Sequence, residues 1–251
     1  MIWLFRVYQI LIMLPLMFIV TLVTALITAC GSMLFGGRWW GYYPPALWSR
    51  IMCILSLVRV EVHGREHISR GTSYVFVANH QGAYDIFSIY GYLGHNFRWM
   101  MKKSLEKLPM VGWACKRSGQ IFVDNSSPHA IKQTMEAAEK QLAGGMSLVV
   151  FPEGARTWDG SMRRFKRGAY TLAQEFGLPV VPLTIDGSFK VMPRFVKLHR
   201  PGKIILTIHQ PISSSEPDLI ELSRQAIAES LPAINPQNST STPTKPTNKN
   251  A

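Results

Sequence analysis

A long hydrophobic segment occupies residues 7–37, which carry no charged side chain. A helix needs roughly 20 apolar residues to cross a bilayer. A cleavable signal peptide has a shorter apolar core of about 7–15 residues. A helix buried in a protein core, a further possible interpretation, rarely runs so long without charge. The segment therefore predicts an uncleaved membrane anchor near the N-terminus.

Side chains suited to the membrane interface follow this segment. Arg38 is accompanied by four aromatic residues, Trp39, Trp40, Tyr42 and Tyr43. Aromatic and cationic groups together favour the headgroup layer. Residues 51–58 form a second apolar stretch that is too short to span, so one tilted helix and two helices entering a single leaflet both remain open. The many Lys and Arg residues after the anchor favour a cytoplasmic position for the rest of the chain.

After residue 58, short apolar runs typical of strands alternate with helical patterns. The predicted strands are 58–62, 74–78, 97–101, 120–123, 147–151, 179–185 and 203–208. The predicted helices are 85–93, one capped by Ser126 or Ser127 and ending at Gly144, 168–176, and one beginning at a capping box of Ser215 and Asp218 and ending near Leu231. This alternation predicts an α/β fold with a mixed, largely parallel sheet flanked by helices.

Three regions follow from these patterns: a membrane anchor (1–58), a main domain (59–233) and a tail (234–251). Polar residues and proline dominate the tail, which we expect to be disordered. In parallel sheets of this class, sites gather at the carboxyl ends of the strands. His80 and Glu153 stand directly after two predicted strands, so this edge is the predicted location of the site.

The charge balance narrows the class of partner. The chain of 251 residues has 27 Lys and Arg against 15 Asp and Glu, a formal net charge of +12. Such an excess favours nucleic acid, anionic lipid or phosphorylated small molecules as partners. The three cysteines, Cys30, Cys53 and Cys115, form no CxxC pair, which argues against a disulfide scaffold and against a cysteine-based zinc site.

The first candidate for chemistry is the pair His80 and Asp85. A histidine on the turn after a buried strand faces a cleft, and the helix that follows brings Asp85 back towards it. A carboxylate on one imidazole nitrogen fixes the tautomer and stabilises the cation formed when the other nitrogen takes a proton. The pair predicts a general base that activates a hydroxyl. The alternative is a helix cap beside a polar turn residue.

The second candidate is the sequence FPEGAR at 151–156. Gly154 permits close backbone approach, and Arg156 is able to hold phosphate through its planar guanidinium group. Glu153 is expected to bind a substrate hydroxyl or to position Arg156. An ordinary turn with a surface ion pair is the alternative interpretation.

Basic residues form three groups along the chain. They are Lys102, Lys103, Lys107, Lys116 and Arg117; Arg156, Arg163, Arg164, Lys166 and Arg167; and Lys190, Arg194, Lys197, Arg200 and Lys203. A basic run is usually a solvated face, but beside a membrane anchor each cation gains about 1 kcal/mol from anionic lipid. The sequence has no GxSxG, GxGxxG, GxxxxGK[ST] or HExxH motif, so no metal and no cofactor is predicted.

Four blocks in order resemble the glycerolipid acyltransferases, in particular the lysophosphatidic acid acyltransferase group. NHQGAYD at 79–85 matches the NHxxxxD block of that family. GQIFVD at 119–124 is similar to its second block, FPEGAR at 151–156 to its FPEGTR block, and VPL at 181–183 to its fourth. Two positions depart from the pattern: Asn125 replaces an arginine and Ala155 a threonine. Lys116, Arg117 or Arg163 are candidates to replace the lost cation.

The resemblance implies a transfer mechanism. His80 takes the proton of the acceptor hydroxyl, whose oxygen attacks the thioester of acyl-CoA or acyl-carrier protein, and Asp85 orients His80. The substrate-binding residues expected on this basis are Asn79, Lys103, Asp124, Glu153, Gly154 and Arg156. Lysophosphatidic acid is the expected acceptor and phosphatidic acid the product, while different lyso-lipids remain possible acceptors.

Two rival hypotheses keep the fold and change the class: an anionic-lipid-binding protein without turnover, and a hydrolase in which His80 activates water. Nucleic acid is not an expected partner, because no recognition motif accompanies the charge. The expected location is a bacterial inner (plasma) membrane, with membrane lipids as partners and the main domain on the cytoplasmic side.

Overall fold

A computed structural model describes residues 2–232; the tail predicted at 234–251 lies outside them. The N-terminal helix α1 (Ile2–Tyr8) continues through a π-helical turn, Gln9–Met13, into α2 (Leu14–Phe35). The helical segment Trp3–Phe35 is long and apolar enough to cross a membrane. Gly36 then adopts a positive φ of 87°, which is not a helical value and ends the helix. Glycine takes this conformation readily, whereas other residue types rarely do.

A second helix packs against this long one. The short helix α3 (Gly37–Trp40) leads into α4 (Tyr43–Leu55), where Trp48 donates a hydrogen bond to the Thr21 hydroxyl of α2 at 2.9 Å. Two packed helices therefore make up most of residues 2–55, and their arrangement in a membrane stays a prediction.

Seven strands form one sheet in the order β1-β7-β6-β2-β5-β3-β4. The strands are β1 (Val58–His63), β2 (Val75–Ala78), β3 (Phe97–Lys102), β4 (Ile121–Val123), β5 (Ser147–Val150), β6 (Val180–Asp186) and β7 (Gly202–Ile208). All neighbouring pairs are parallel except β6 and β7. The predicted fold class, a mixed and largely parallel sheet flanked by helices, is confirmed.

Helices cover both faces of this sheet. They are α5 (Tyr84–Tyr92), α6 (Val111–Arg117), α7 (Pro128–Ala143), α8 (Gly168–Glu175), α9 (Ser188–Val191) and α10 (Leu219–Glu229). In β2, Phe76 belongs to the core on one face with Ile89 of α5, and Val75 belongs to the core on the other face with Tyr170 of α8. A strand buried on both faces reads as a continuous apolar run, which is why β2 is recognisable in the sequence.

The helix ends test the predicted caps. Ser127 accepts a hydrogen bond from the Ala130 N–H at 3.1 Å, which confirms one of the two predicted caps of α7. The capping box at Ser215 is wrong: α10 begins three residues later, after Asp218, whose side chain caps nothing. The Ser215 hydroxyl bonds instead to the Ser213 hydroxyl at 2.8 Å. Such local bonds offer the backbone a turn in place of a helix start.

Candidate active site

The site lies where β2 and β5 end. The two strands run parallel, with Val77 opposite Val150, so the loop 79–83 and the loop 151–167 leave the sheet at the same edge. Two hydrogen bonds join them: the Thr157 N–H donates to the His80 carbonyl at 3.0 Å, and the Gln81 amide donates to the Gly160 carbonyl at 3.1 Å. The blocks at 79–85 and 151–156 therefore form one unit.

His80 and Asp85 are brought into direct contact. The Nδ1 atom of His80 lies 2.7 Å from Oδ2 of Asp85, and the Asp85 side chain is fully buried. The same oxygen accepts the N–H groups of Gln81 at 2.7 Å and Gly82 at 2.9 Å. Asp85 thus fixes both the turn and the ring, and Nε2 of His80 has no protein partner within residues 2–232.

Phe151 forms the wall beneath the imidazole. Its ring stacks on His80 with centroids 3.9 Å apart and an interplanar angle of 10°, and Trp99 stacks on its other side at 5.4 Å. Together with the Asp85 bond, this stack restricts the ring to one orientation.

Asn79 does not face the site. Its side chain is fully buried; Nδ2 donates to the Ile185 carbonyl at 2.9 Å and Oδ1 accepts the Ile185 N–H at 2.8 Å. The amide extends the pairing of β2 and β6 past the end of the strand. The expectation that Asn79 contacts substrate is therefore corrected: its polar atoms are occupied by backbone.

We expect Asn79→Ala to lower the free energy of unfolding by about 2–4 kcal/mol, because two buried backbone groups of Ile185 lose their partner. Urea unfolding measures the change. Asn125→Ala, at an exposed asparagine, is the matched control and should stay within about 0.5 kcal/mol of the wild type. Equal stability of the two variants would contradict the buried role.

Glu153 is also turned inward. Its side chain is 3% exposed; Oε1 accepts the His80 N–H at 2.8 Å and Oε2 accepts the Arg163 N–H at 2.8 Å. Burial raises the pKa of this carboxyl to about 6, against the lowering effect of the two N–H donors. Glu153 therefore holds the His80 turn and the 151–167 loop together, which corrects the expectation of a direct contact with substrate.

Glu153→Ala should destabilise the protein by about 2–4 kcal/mol, since two backbone N–H groups lose their acceptor. The pH dependence also has a defined sign. Between about 4.5 and about 6 the native state binds more protons than the unfolded state, so this carboxyl lowers the stability as the pH rises through that interval. Urea unfolding from pH 4 to 8 should show this slope in the wild type and not in Glu153→Gln, which has no titratable group. An identical slope in Glu153→Gln would refute the assignment.

A mostly apolar cavity of about 390 Å³ opens beside His80. Its lining includes Ile131 and Met135 of α7 and Ile86 of α5. These side chains lie on two of the predicted helices, and Ile131 is 45% and Ile86 37% exposed. Later apolar residues of the same helices, such as Ile89 and Leu142, enter the core.

Cations lie at the mouth of this cavity. Lys166 and Lys102 line it together with Gly154. Gly154 has a φ of 75°, and a Cβ atom there would lie 2.9 Å from Nζ of Lys166. A larger residue at this position would therefore clash with the lysine side chain. Gly154 thus lines the cavity beside His80 and leaves room for Lys166, while its contact with substrate stays a prediction.

Arg156 is half-buried on the loop that carries Glu153. Burial lowers the pKa of its guanidinium, and the charge of Asp85 acts in the opposite direction. Arg194 donates to the Arg156 carbonyl at 3.3 Å and lies 4.5 Å from the centroid of the Trp158 ring. The guanidinium group predicted to bind phosphate therefore lies within reach of the charge of Asp85, and a second arginine holds its backbone.

Lys103 and Asp124, two of the expected substrate-binding residues, lie away from His80. They follow β3 and β4, two and three strands away from β2, or about 10–15 Å across the sheet. Lys103 pairs with Glu106 at 2.9 Å, and Asp124 accepts the Ser126 N–H at 3.0 Å. The cavity is lined instead by their neighbours Lys102 and Asn125.

The three candidate replacements for the missing arginine also have different surroundings. Lys116 pairs with Glu106 at 3.3 Å, and Arg117 lines a separate cavity near Arg38. The Arg163 side chain is exposed and its N–H binds Glu153. Sequence reasoning named Phe151 only as part of FPEGAR, and Lys102 and Lys166 only as members of basic groups. It gave none of the three a role beside His80, although Phe151 ends a predicted strand at the edge where the site was expected.

Several known proteins resemble this chain in sequence. Residues 59–186 match the family model named Acyltransferase. A chloroplastic 1-acyl-sn-glycerol-3-phosphate acyltransferase of Brassica napus is 34% identical over 192 residues, which cover 74% of this chain and 54% of that protein. The 1-acyl-sn-glycerol-3-phosphate acyltransferase alpha of Mus musculus is 32% identical over 184 residues, covering 70% and 64%. The chain thus spans about half of the length of the curated relatives it matches.

A solved structure shows the same fold over most of both chains. The crystal structure of the 1-acyl-sn-glycerophosphate (LPA) acyltransferase PlsC from Thermotoga maritima superimposes with a TM-score of 0.68 at 25% identity, covering 84% of this chain and 93% of that one. The resemblance carried by the four sequence blocks is confirmed. The family model, the curated relatives and this shared fold together establish that the chain belongs to the Acyltransferase family.

Proposed function

We propose that the protein transfers a fatty acyl group from acyl-CoA or acyl-carrier protein to the sn-2 hydroxyl of 1-acyl-glycerol-3-phosphate, giving phosphatidic acid. The observation that carries the proposal is the buried Asp85 carboxylate on Nδ1 of His80, at the mouth of an apolar cavity. Relatives named as 1-acyl-sn-glycerol-3-phosphate acyltransferases support the choice of acceptor.

The reaction follows from the roles of the two side chains. With Nδ1–H donated to Asp85, Nε2 of His80 is the basic nitrogen and takes the proton of the acceptor hydroxyl as its oxygen attacks the thioester carbonyl. The carbonyl then re-forms, the thiolate leaves, and the imidazolium returns the proton to it. Asp85 stabilises the imidazolium during this step. A direct transfer of this kind requires no covalent acyl-enzyme.

The substrates divide between the apolar and cationic parts of the site. The acyl chain of the donor occupies the cavity between α5 and α7, lined by Ile86, Ile131 and Met135. The phosphate of the acceptor is held by Arg156 and Lys166, neither of which forms an ion pair with a carboxylate of the described residues 2–232. Arginine suits this task because its planar group matches a phosphate.

The anchor helices supply access to the lipids. The helix from Ile2 to Phe35 is about 50 Å long, and the main domain contacts it at both ends. Gln9 lies 2.7 Å from His199, while Ala25 and Ala29 pack against Ala114 of α6. A helix that crossed the bilayer would move away from the main domain and would contact that domain at one end only. We therefore place this helix along one leaflet of the membrane, with its exposed apolar side in the lipid; the bacterial inner membrane and the cytoplasmic side remain predictions.

A donor and acceptor panel tests the proposed reaction. Protein purified in detergent is supplied with acyl-CoA or acyl-carrier protein and with lysophosphatidic acid, glycerol-3-phosphate or larger lyso-lipids, and the lipid products are identified by mass spectrometry. The proposal expects phosphatidic acid as the main product. Free fatty acid as the main product would show a hydrolase, and binding without turnover would show a lipid-binding protein.

Narrowing the cavity should change the preferred donor. Met135→Trp fills part of the cavity lined by α7. The kcat/KM for donors with long acyl chains should therefore fall about 10-fold or more relative to donors with short chains. An effect of this size is typical when a substrate exceeds an apolar pocket by one methylene. A panel of donors of increasing chain length measures the ratio. Leu222→Trp, on the outer face of α10, is the control and should leave the ratio unchanged. An unaltered ratio in Met135→Trp would place the acyl chain elsewhere.

A further inference from the structure

A second cationic cavity lies at the edge of the sheet opposite to His80. It has a volume of about 270 Å³ and sits where β3, β4 and β5 begin. Four cations line it: Arg38, Arg98, Arg117 and Lys140. The lining contains no carboxylate, and the four cations form no ion pair with any of the residues 2–232. The proposed reaction uses none of them.

Arg98 is the unusual member of this set. Its side chain is 2% exposed, and a buried charge is costly unless it is paired. One terminal nitrogen donates to the Phe97 carbonyl at 2.9 Å and to Asn96 Oδ1 at 3.2 Å, and the other to the Gly37 carbonyl at 2.5 Å. The Nε atom has no hydrogen-bond partner within the described part of the chain. A buried N–H of a charged group without a protein acceptor favours an anion as its partner.

The other three cations have a partial explanation. Arg117 and Lys140 stand in the last turns of α6 and α7, and Arg38 donates to the Gly144 carbonyl at 3.1 Å. Cations favour the carbonyl ends of helices, so these three side chains serve as helix caps even without a ligand. Capping does not account for the buried Nε of Arg98, nor for four cations around one space.

We propose that this cavity binds the phosphate group of an anionic ligand, either a lipid headgroup or free phosphate. Guanidinium groups match phosphate oxygens in pairs, and the cavity offers three of them. Arg38 of the cavity lining follows the apolar helix α2 closely in the sequence, and its neighbour Trp39 is 52% exposed. Exposed aromatic and cationic side chains favour the headgroup layer, so we place the cavity at that depth.

The site is separate from the catalytic one. Arg98 pairs with Leu148, which also pairs with Val75, so Arg98 lies level with a residue five positions before His80. At about 3.3 Å per residue this is about 17 Å along the strand. A ligand bound at Arg98 therefore does not contact the His80 and Asp85 side chains.

Calorimetric titration of the full chain in a neutral detergent tests the proposal. The probes are sodium phosphate, dihexanoylphosphatidylglycerol and, as a zwitterionic control, dihexanoylphosphatidylcholine. Arg117→Gln/Lys140→Gln removes the two exposed cations and leaves the core intact. Lys116→Gln/Lys132→Gln removes two cations from the same helices outside the cavity and is the matched control; the cations near His80 are unchanged in both proteins.

The double variant Arg117→Gln/Lys140→Gln should lose one binding site, or weaken it about tenfold or more, while the control binds as the wild type does. A loss seen with the anionic lipid and not with the zwitterionic one assigns the site to headgroups. A loss seen with sodium phosphate alone assigns it to free phosphate. Identical titrations of the two variants with both anionic probes would overturn the proposal and leave the cations as helix caps.

Discussion

Replacing His80 by alanine should lower kcat for acyl transfer by about 10²–10⁴-fold, the usual contribution of a general base. The reason is that Nε2 is the proton acceptor beside the apolar cavity, with its ring fixed by Asp85 and by the Phe151 stack. Thiol release from acyl-CoA with lysophosphatidic acid present measures the rate.

The control for this experiment is His129→Ala, at an exposed histidine of α7 that bonds to Gln133. It should transfer acyl groups at the wild-type rate. Circular dichroism of both variants distinguishes lost chemistry from lost folding. A folded His80→Ala protein with more than about a tenth of the wild-type rate would end the assignment of His80 as the base.

Asp85→Asn should lower kcat by about 10²–10⁴-fold with a smaller change in KM. An amide keeps nearly the same shape, but it does not stabilise an imidazolium and favours the wrong tautomer. Its NH₂ group would also face the N–H groups of Gln81 and Gly82, which now share Oδ2 with His80. Steady-state kinetics over a range of pH separates the effect on kcat from the effect on substrate binding.

Asp218→Asn provides the comparison, because the side chain of Asp218 makes no cap hydrogen bond at the start of α10. We expect it to match the wild type. If Asp85→Asn kept more than about a third of the wild-type kcat, Asp85 would be a turn cap and not the orienting partner of the base.

The contact between His80 and Asp85 was predictable because the two residues are close in the sequence. A strand buried on both faces ends at Ala78, and a helix begins at Tyr84, so His80 and Asp85 meet across a single turn. The roles of Asn79 and Glu153 were not predictable in the same way. Both are polar residues directly after a strand, and the sequence does not show whether such a side chain faces the cleft or the neighbouring backbone.

The remaining errors have separate causes, some long-range and some local. Ile185, the partner of Asn79, lies 106 residues away, and Lys166 reaches the cavity from an irregular loop with no periodic pattern. The helix α6 has only seven residues, too few to show an apolar stripe. The capping box at Ser215 failed because serines also favour turns, a competition that the motif alone does not resolve.

The N-terminal helix is packed against the rest of the protein, which matters for any truncated version of the chain. Thr21 accepts the Trp48 N–H, Gln9 reaches His199, and Ala29 covers Ala114. Removing the first 35 residues would remove all of these contacts and expose the surfaces of α4 and α6 that pack against the helix. Releasing the protein from the bilayer and deleting its first helix are therefore different perturbations. The deletion also removes packing and hydrogen bonds, so we expect it to destabilise the remaining domain.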